Sequence, residues 1–339
     1  MNRVSRFRPP RPRAYLVGVG WVVSVACGLL AFFTRPARAD ADADDVPHWV
    51  EDAPAPVDAA QLRNVEPRTR LYVDAAFAQS PDLSALPLIV GSGHNLRAAI
   101  GGSWKWNRFQ FDTELPSAQA TSLNLTMVPG GVPIPEDQKQ TALSAGDWRL
   151  GAQWTDTLPV DAMPLVGGFS LRARIPTHTT RFQFHLADNS LGVYSFPYYF
   201  HIEPSVLLGG GVGDFSFVVN QGSIVLMGPD GNFGELYIVV PTILFWDAHY
   251  AIAWRCADWL TASTELATTF QLNHVDGIYF DKLNNVRAVT VAPGLQVRVG
   301  DDTRIDLVGR WGLTHGADLF GVIGYAGTRS LTLRATRFF

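Results

Sequence analysis

The sequence predicts an all-β fold, an antiparallel transmembrane β-barrel of about 12 strands within a range of 10 to 14. Three observations favour this fold. Apolar and polar residues alternate in segment after segment, no run of 18 consecutive apolar residues follows residue 39, and 47% of the chain is nevertheless hydrophobic. A membrane-spanning helix needs about 20 apolar residues in a row, whereas a barrel strand places them at every second position.

The N-terminus, residues 1–39, has the pattern of a signal peptide. An apolar run covers residues 14–33, and Ala37-Arg38-Ala39 has the small-x-small pattern that precedes a cleavage site. We expect export and cleavage after Ala39. An uncleaved membrane anchor is the main alternative, and a lipoprotein centred on Cys27 is disfavoured because apolar sequence continues beyond it. Five arginines precede the run: Arg3, Arg6, Arg8, Arg11 and Arg13.

Cleavage would change the charge of the chain. Removal of residues 1–39 leaves 20 basic against 31 acidic residues, a formal charge of −11, which argues against a nucleic-acid partner. Cys256 would then be the only cysteine, so no intramolecular disulfide could form. Residues 40–66 are acidic and are expected to form a disordered periplasmic segment before a barrel over residues 67–339. A partner-binding arm or a plug in the lumen is an alternative for this segment.

Several segments alternate clearly enough to assign faces. Trp148, Leu150, Ala152 and Trp154 share one face of a predicted strand, and residues 165–175 alternate in the same way, so the two make a hairpin around residues 158–164. A second hairpin is predicted around Gly300-Asp301-Asp302, between residues 289–299 and 305–311. Each hairpin has an apolar face for lipid and a polar face for the lumen.

The final segment is typical of the closing strand of a bacterial outer-membrane barrel. Leu331, Leu333 and Ala335 lie on one face, Arg334 lies on the other, and the chain ends at Phe339. We expect this strand to be recognised by the barrel-assembly machinery, and the outer face to contact outer-membrane lipid. Arg337 departs from the pattern, since an apolar or aromatic residue is usual there; a position at the membrane edge would let it snorkel to water.

Aromatic residues and loops complete the predicted barrel. Trp, Tyr and Phe number 39, and only three lysines follow residue 39, which disfavours a water-facing sandwich. Long connections are expected at residues 116–145 and 273–285, and residues 181–199 are interpreted as a loop that folds inward. Candidates for the aromatic girdles at the headgroup level are Trp104, Trp106, Trp148, Trp154, Trp246, Trp254, Trp311 and Tyr325.

Catalytic motifs are scarce. The eight histidines show no metal-ligand spacing, and we expect no catalytic residue, metal or cofactor. His201 and Glu203 share one face of a strand and could bind a ligand, but a polar network of paired charges is the favoured interpretation. The glycine run 209–213 lacks the Lys-Ser/Thr of a phosphate loop and predicts a turn or bend. Cys256 is expected to face lipid.

One family resemblance rests on two segments. Residues 291–300, VAPGLQVRVG, and residues 203–210, EPSVLLGG, resemble strand-turn sequences of outer-membrane channels grouped with the phenol-degradation meta-pathway. The resemblance covers about the C-terminal two-fifths of the chain. It implies a barrel that admits small hydrophobic or aromatic molecules.

The inward faces suggest a function as a channel or transport barrel for small solutes. Rings of charged side chains set the selectivity of a pore, and the excess of arginine favours anions. An outer-membrane enzyme acting on lipid and a structural or assembly barrel with a filled lumen remain as alternatives. The pore-lining candidates are Arg97, Lys105, Arg149, Arg172, Arg174, Glu203, Glu265, Arg298, Arg304, Asp306, Arg310 and Arg334.

Signal-peptide cleavage can be tested directly. Protein isolated from the outer-membrane fraction is expected to begin at Asp40, as read by N-terminal sequencing and intact mass. The variant Ala39→Phe should keep residues 1–39, because the peptidase accepts small residues at this position. Wild-type protein that retains residues 1–39 would show that the apolar run is an anchor.

Overall fold

The computed structural model confirms an all-β closed barrel. It describes residues 67–80, 89–127, 138–158, 165–177, 181–185, 191–195, 200–227, 231–233, 236–238, 242–274, 287–314 and 329–339. Within these ranges, no helix has both the length and the apolar character needed to cross a membrane. The proposed signal peptide and acidic segment, residues 1–66, lie outside the described residues.

The described chain forms eighteen strand segments. They are β1 (Arg70–Ser80), β2 (Ile89–Trp106), β3 (Phe109–Glu114), β4 (Ala118–Met127), β5 (Gln138–Ala145), β6 (Trp148–Leu158), β7 (Leu165–Ile175), β8 (Arg181–His185), β9 (Leu191–Ser195), β10 (Phe200–Val212), β11 (Phe215–Met227), β12 (Gly231–Phe233), β13 (Leu236–Ile238), β14 (Ile243–Ala257), β15 (Leu260–Gln271), β16 (Arg287–Val299), β17 (Thr303–Gly312) and β18 (Arg329–Phe338).

Fourteen of these segments build a wall of twelve strands. β3 and β4 pair with successive halves of β2 and together act as one strand. β6 pairs with β3 and β5 pairs with β4 in the same register, so β5 and β6 also act as one strand. The sheet then continues through β7, β10, β11 and β14 to β18, with every neighbour antiparallel. β1 pairs with both β18 and β2, which closes the barrel and leaves the wall without an edge. The predicted strand number of 12 is confirmed.

The two ends of the barrel differ. Short connections join β2 to β3, β10 to β11, β14 to β15 and β16 to β17 at the end where both described termini lie, here called the terminal end. Asn107, Gly213 and Gly300 have positive φ angles in three of these turns. The connections at the opposite end, here called the loop end, are longer. Barrels of this class place short turns on the periplasmic side and long loops outside.

Two prolines interrupt the backbone ladder. Pro204 in β10 pairs with β7 but not with β11, and Pro293 in β16 pairs with β15 but not with β17. A proline has no N–H to donate, so a strand that contains one loses a hydrogen bond on one side. Each of these strands therefore keeps a regular ladder with only one of its two neighbours at the proline.

The faces of the strands follow the predicted alternation. In β18, Leu331, Leu333 and Ala335 are exposed while Arg334 and Thr336 are buried. The two predicted hairpins form as β6–β7 and β16–β17, with the apolar faces outward. Valine, threonine and aromatic residues suit these strands because their side chains pack well on a pleated surface.

Aromatic side chains gather toward both ends of the outer surface. At the terminal end, Trp104 and Trp106 are exposed beside Phe111 and Phe109, and Phe215 stacks on Trp254. Toward the loop end, the ring of Trp246 stacks on Phe270. Trp246 and Trp254 are eight residues apart on β14, a distance of roughly 26 Å along the strand. Because barrel strands are tilted, this distance covers most of an apolar band that is about 25 Å tall. Tyr325 lies outside the described residues.

The predicted long loop at residues 116–145 is wrong in part. Residues 118–127 and 138–145 form β4 and β5, a hairpin that extends the wall toward the loop end. Its Ser, Thr and Gln content resembles that of a loop, but backbone pairing with β2 stabilises the strand conformation. Residues 181–199 include the small hairpin of β8 and β9, and most of residues 273–285 lie outside the described residues.

The lipid-facing assignment can be tested by introducing a charge at two depths. Leu333→Arg places a charge near the middle of β18 and is expected to lower the free energy of unfolding by about 2–4 kcal/mol. Leu71→Arg, opposite Arg337 at the terminal end, should cost about 0–1 kcal/mol because the group reaches the interface. Urea titration in lipid vesicles, followed by tryptophan fluorescence, measures both. Equal costs at the two positions would contradict the assignment.

Candidate functional site

The interior face of the barrel is the candidate functional site, because buried ionisable groups project into it from seven of the twelve wall strands. On strands such as β17 and β18, these groups alternate with apolar residues of the outer face. A buried charge is stable only when it is paired and hydrogen-bonded. The partners of these groups therefore determine what the interior can do.

Asp74 holds the strands on both sides of β1. Its carboxylate accepts a hydrogen bond from Arg334 of β18 at 3.0 Å and one from Arg97 of β2 at 3.4 Å. Arg97 also donates to Glu114 of β3, and Arg149 Nε lies 3.5 Å from the same carboxylate. Asp74 is 1% exposed. This chain of ion pairs, here called the seam cluster, crosses the strands at which the barrel closes.

Tyr72 packs against the seam cluster from the same strand. Its hydroxyl donates to Glu114 at 3.1 Å, and the guanidinium of Arg334 lies 4.3 Å from its ring centroid. The ring occupies the space above Gly101, where an added Cβ would come within 2.3 Å of it. A larger residue at Gly101 would displace the tyrosine and its contact with the charges.

A second group of charges lies on β7 and β10. Arg174 Nε contacts Glu203 Oε1 at 2.9 Å, and His201 Nδ1 lies 3.9 Å from the same oxygen. Directly along these strands, the hydroxyls of Ser170 and Ser205 form a hydrogen bond of 2.9 Å. The favoured interpretation of His201 and Glu203 as members of a polar network agrees with these contacts.

A third group, here called the His249 cluster, lies on β14, β15 and β17. His249 bonds Glu265 through Nδ1 at 2.6 Å and Asp247 through Nε2 at 2.8 Å. Thr269 donates to the other oxygen of Asp247 at 2.7 Å. Arg310 lies 4.0 Å from Glu265, which it reaches across the small side chain of Ala292 in β16. Both ring nitrogens are used, so neither is free to bind a metal.

A further ion pair lies close to the terminal end. Arg304 Nε is 3.3 Å from Asp306 on the same strand, and the Arg304 guanidinium lies 5.0 Å from the ring centroid of Phe338. The guanidinium of Arg68 lies 5.4 Å from the same ring. Two guanidinium groups therefore lie near the ring of Phe338 at the end of the last strand, within cation–π distance.

The other pore-lining candidates are less deeply placed. Lys105 and Arg172 are half-buried, and the aliphatic part of Arg172 packs above Gly151. Arg298 lies at the end of β16, where its exposed side chain donates to the carbonyl of Gly300 at 3.2 Å. Its position is therefore the rim of the barrel. Pore lining stays a prediction for all twelve residues.

Sequence reasoning missed central members of this site. Asp74, Asp247 and His249 were not among the candidates, although each lies on the polar face of an alternating segment. The inward position of Asp74 could have been found from the alternation of Tyr72, Asp74 and Ala76 with apolar residues. Its partners could not, because Arg334 lies 260 residues away in the chain.

The described residues offer no evident metal centre. Among them, no group of three or more His, Cys, Asp or Glu residues is arranged to hold a metal ion. Cys256 is exposed on the outer face, as expected, and its thiol points to the carbonyl of Trp254 at 3.7 Å.

Fold and interior together define the class: an antiparallel barrel of the outer-membrane type, with an apolar outer surface and a charged interior. No family model matches the chain, and no curated protein matches it. Several solved structures are similar to the chain. The translocator domain of the autotransporter NalP from Neisseria meningitidis has a TM-score of 0.52 at 11% identity, covering 81% of this chain and 89% of that one. An outer membrane channel from Pseudomonas putida F1 has a TM-score of 0.52 at 12% identity, covering 84% and 99%.

These likenesses concern the fold. At such low identity, an autotransporter domain and a channel resemble the chain equally well, so the shared feature is the barrel fold and not an activity. The resemblance to the phenol-degradation channels is not confirmed by a family match and stays a prediction.

Because of the ion pairs in the seam cluster, we expect removal of one of its carboxylates to lower the free energy of unfolding strongly. Asp74→Ala leaves two arginines without this partner and is expected to lower the free energy of unfolding by about 3–5 kcal/mol. Asp301→Ala removes an exposed partner of Arg298 and should change it by less than about 1 kcal/mol. Urea titration in vesicles compares the two variants. A cost for Asp74→Ala no larger than that of the control would show that the seam cluster does not hold the barrel closed.

Proposed function

We propose that the protein is a passive channel of the bacterial outer membrane for small solutes, and that it is not an enzyme. The observation that carries the proposal is the charged interior of a closed barrel whose outer surface is apolar. Charged side chains cost free energy to place inside a membrane protein and usually mark a route for ions or solutes. Export through the signal peptide would bring the chain to this membrane.

The solute class is inferred from the sequence. Residues 291–300 and 203–210 resemble strand-turn sequences of outer-membrane channels grouped with the phenol-degradation meta-pathway. This resemblance supports the expectation of small hydrophobic or aromatic solutes.

A structural barrel with a filled lumen is the second candidate. It is favoured by the deep burial of the interior charges, since Asp74, Glu265 and Asp306 are all less than 5% exposed. Such pairing would also hold a barrel rigid without any transport. The two functions differ in whether current and solute pass.

Conductance distinguishes the two candidates. The purified barrel in planar bilayers is expected to show discrete single-channel currents, and liposomes that contain it should take up small neutral aromatic solutes. A heat-denatured sample serves as the control for insertion of folded protein. A folded barrel that passes neither current nor solute would overturn the channel and favour the structural function.

Ion selectivity can test whether the charge of one predicted pore-lining residue, Arg172, acts on permeating ions. Arg172→Gln removes a positive charge from the interior and is expected to lower the preference for anions over cations, measured as a shift of the reversal potential in a salt gradient. Arg172→Lys keeps the charge and should stay close to wild type. If the two variants shift equally, the charge of Arg172 does not act on permeating ions.

A further inference from the structure

One residue on the outer face of the barrel does not suit a lipid environment. Gln221 is the middle residue of β11, and it is exposed on the face that carries Phe215 and Val219. Residues two apart on a strand share a face, so Gln221 points away from the interior, to which its neighbour Asn220 belongs. The other outward residues of β11 are apolar except for one serine: Phe215, Phe217, Val219, Ser223, Val225 and Met227.

Gln221 lies deep within the apolar band. It is six residues from Phe215, whose ring stacks on Trp254 at the terminal end. Six residues cover roughly 20 Å along a strand, or about 15 Å of depth at a tilt of about 40°. The apolar band is about 25 Å tall. The glutamine side chain is therefore too short to bring its amide to a headgroup level, as the longer Lys and Arg side chains do near a membrane edge.

The carboxamide of Gln221 has no partner within the described part of the barrel. None of the hydrogen bonds or ion pairs among the described residues includes its side chain. Lipid tails neither donate nor accept hydrogen bonds, so an amide that faces them keeps its donors and its acceptor unsatisfied, which costs free energy. An apolar residue is usual at such a depth, as in Leu333 near the middle of β18, which is 52% exposed.

The surroundings of Gln221 allow another protein surface to approach closely. Its register partners on the neighbouring strands are Val206 of β10 and Ala248 of β14. Along β11 the nearest outward residues are Val219 and Ser223. None of these four side chains is larger than valine. Contacts between protein segments within membranes favour small residues, which permit close approach, together with polar groups that form hydrogen bonds across the contact.

Hydrogen-bond complementarity identifies the partner as a second copy of this chain. Lipid offers no hydrogen-bonding group at this depth, so the partner must be a protein. A primary carboxamide is self-complementary, since its N–H donates to the oxygen of another carboxamide while its own oxygen accepts from the N–H of that group. Two copies inserted in the same orientation are related by a two-fold axis along the membrane normal. Such an axis places a residue that lies on it opposite the same residue of the other copy.

The tilt of the strands favours a contact centred on one residue. Strands inclined by about 40° in each copy cross at about 80° where the two outer surfaces meet. Only the residues around the crossing point then touch. Gln221 would form the centre of this contact, and the four small side chains around it would form its border.

We propose that the protein forms a homodimer within the membrane through the outer face of β10, β11 and β14, with Gln221 on the two-fold axis. The Nε2–H of Gln221 in each copy donates to the Oε1 of Gln221 in the other copy, which gives a closed pair of hydrogen bonds in the hydrocarbon. This contact uses only residues of the outer face. It therefore goes beyond the proposed channel function and does not depend on whether solute passes through the barrel.

Energy transfer between labelled copies in lipid vesicles measures the association. Donor and acceptor dyes are attached at the exposed thiol of Cys256, and the protein-to-lipid ratio is varied. Wild type is expected to dimerise, and Gln221→Leu should weaken the dimer about tenfold or more, because it removes both hydrogen bonds. Thr264→Val is the control, since Thr264 is an outward polar residue of β15 opposite Ile252 and outside the proposed contact.

The variant Gln221→Glu tests self-contact by pH. A protonated carboxyl group both donates and accepts and should support the dimer, whereas two ionised carboxylates on the axis repel each other and only accept hydrogen bonds. This variant is therefore expected to dimerise in acidic buffer and to dissociate as the pH rises, while Gln221→Leu shows no such dependence. The heat-modifiable gel shift verifies that each variant folds. A monomeric wild type at every protein-to-lipid ratio, with Gln221 against lipid, or a dimer that Gln221→Leu leaves unchanged, would overturn the proposal.

Cross-linking locates the axis. With Cys256 replaced by serine, Gln221→Cys in vesicles should form a disulfide-linked dimer when it is oxidised by copper phenanthroline and oxygen, because a disulfide requires Cβ atoms about 4 Å apart. Leu333→Cys in the same background is the control on another part of the outer face and should remain monomeric. Random collisions would link the two variants equally, so no preference for position 221 over position 333 would overturn the proposal.

Discussion

Closure of the wall through the pairing of β1 with β18 is the constraint on which the rest of the structure depends. In the hydrocarbon of a membrane, an unpaired backbone group costs several kcal/mol, so a sheet can span it only when it has no open edge. The pairing joins residues 70–79 to residues 329–338. Asp74 adds a side-chain connection at this seam, because it binds Arg334 on one side and Arg97 on the other.

Closure also creates the interior and makes its charges costly. Side chains on the inner face of a twelve-stranded wall are surrounded by one another, and most charged ones are paired across two or three strands. Glu114 has Arg97 and Arg149 as partners, and Glu265 has His249 and Arg310. Among the described residues, both side-chain polar atoms of Asn220 lack a hydrogen-bond partner, as do the hydroxyls of Thr290 and Thr336.

The strands and their faces could be predicted from the sequence because alternation is a local property. β18 and the hairpin of β16 and β17 follow their patterns residue by residue. Residues 118–127 and 138–145 could not be recognised, because serine, threonine and glutamine resemble loop composition and only pairing with β2 and each other stabilises these strands. The polar face of β14 was likewise recognisable, but the contacts of His249 depend on the positions of neighbouring strands.

The sequence by itself determined the fold class and, in the clearly alternating strands, the direction in which each side chain points, since these follow from a period of two and from the solvents on the two sides of the wall. Only the tertiary structure decided which charges meet. Arg334 contacts Asp74 although the two residues lie 260 positions apart in the chain. Such contacts depend on register between strands, which no local pattern encodes.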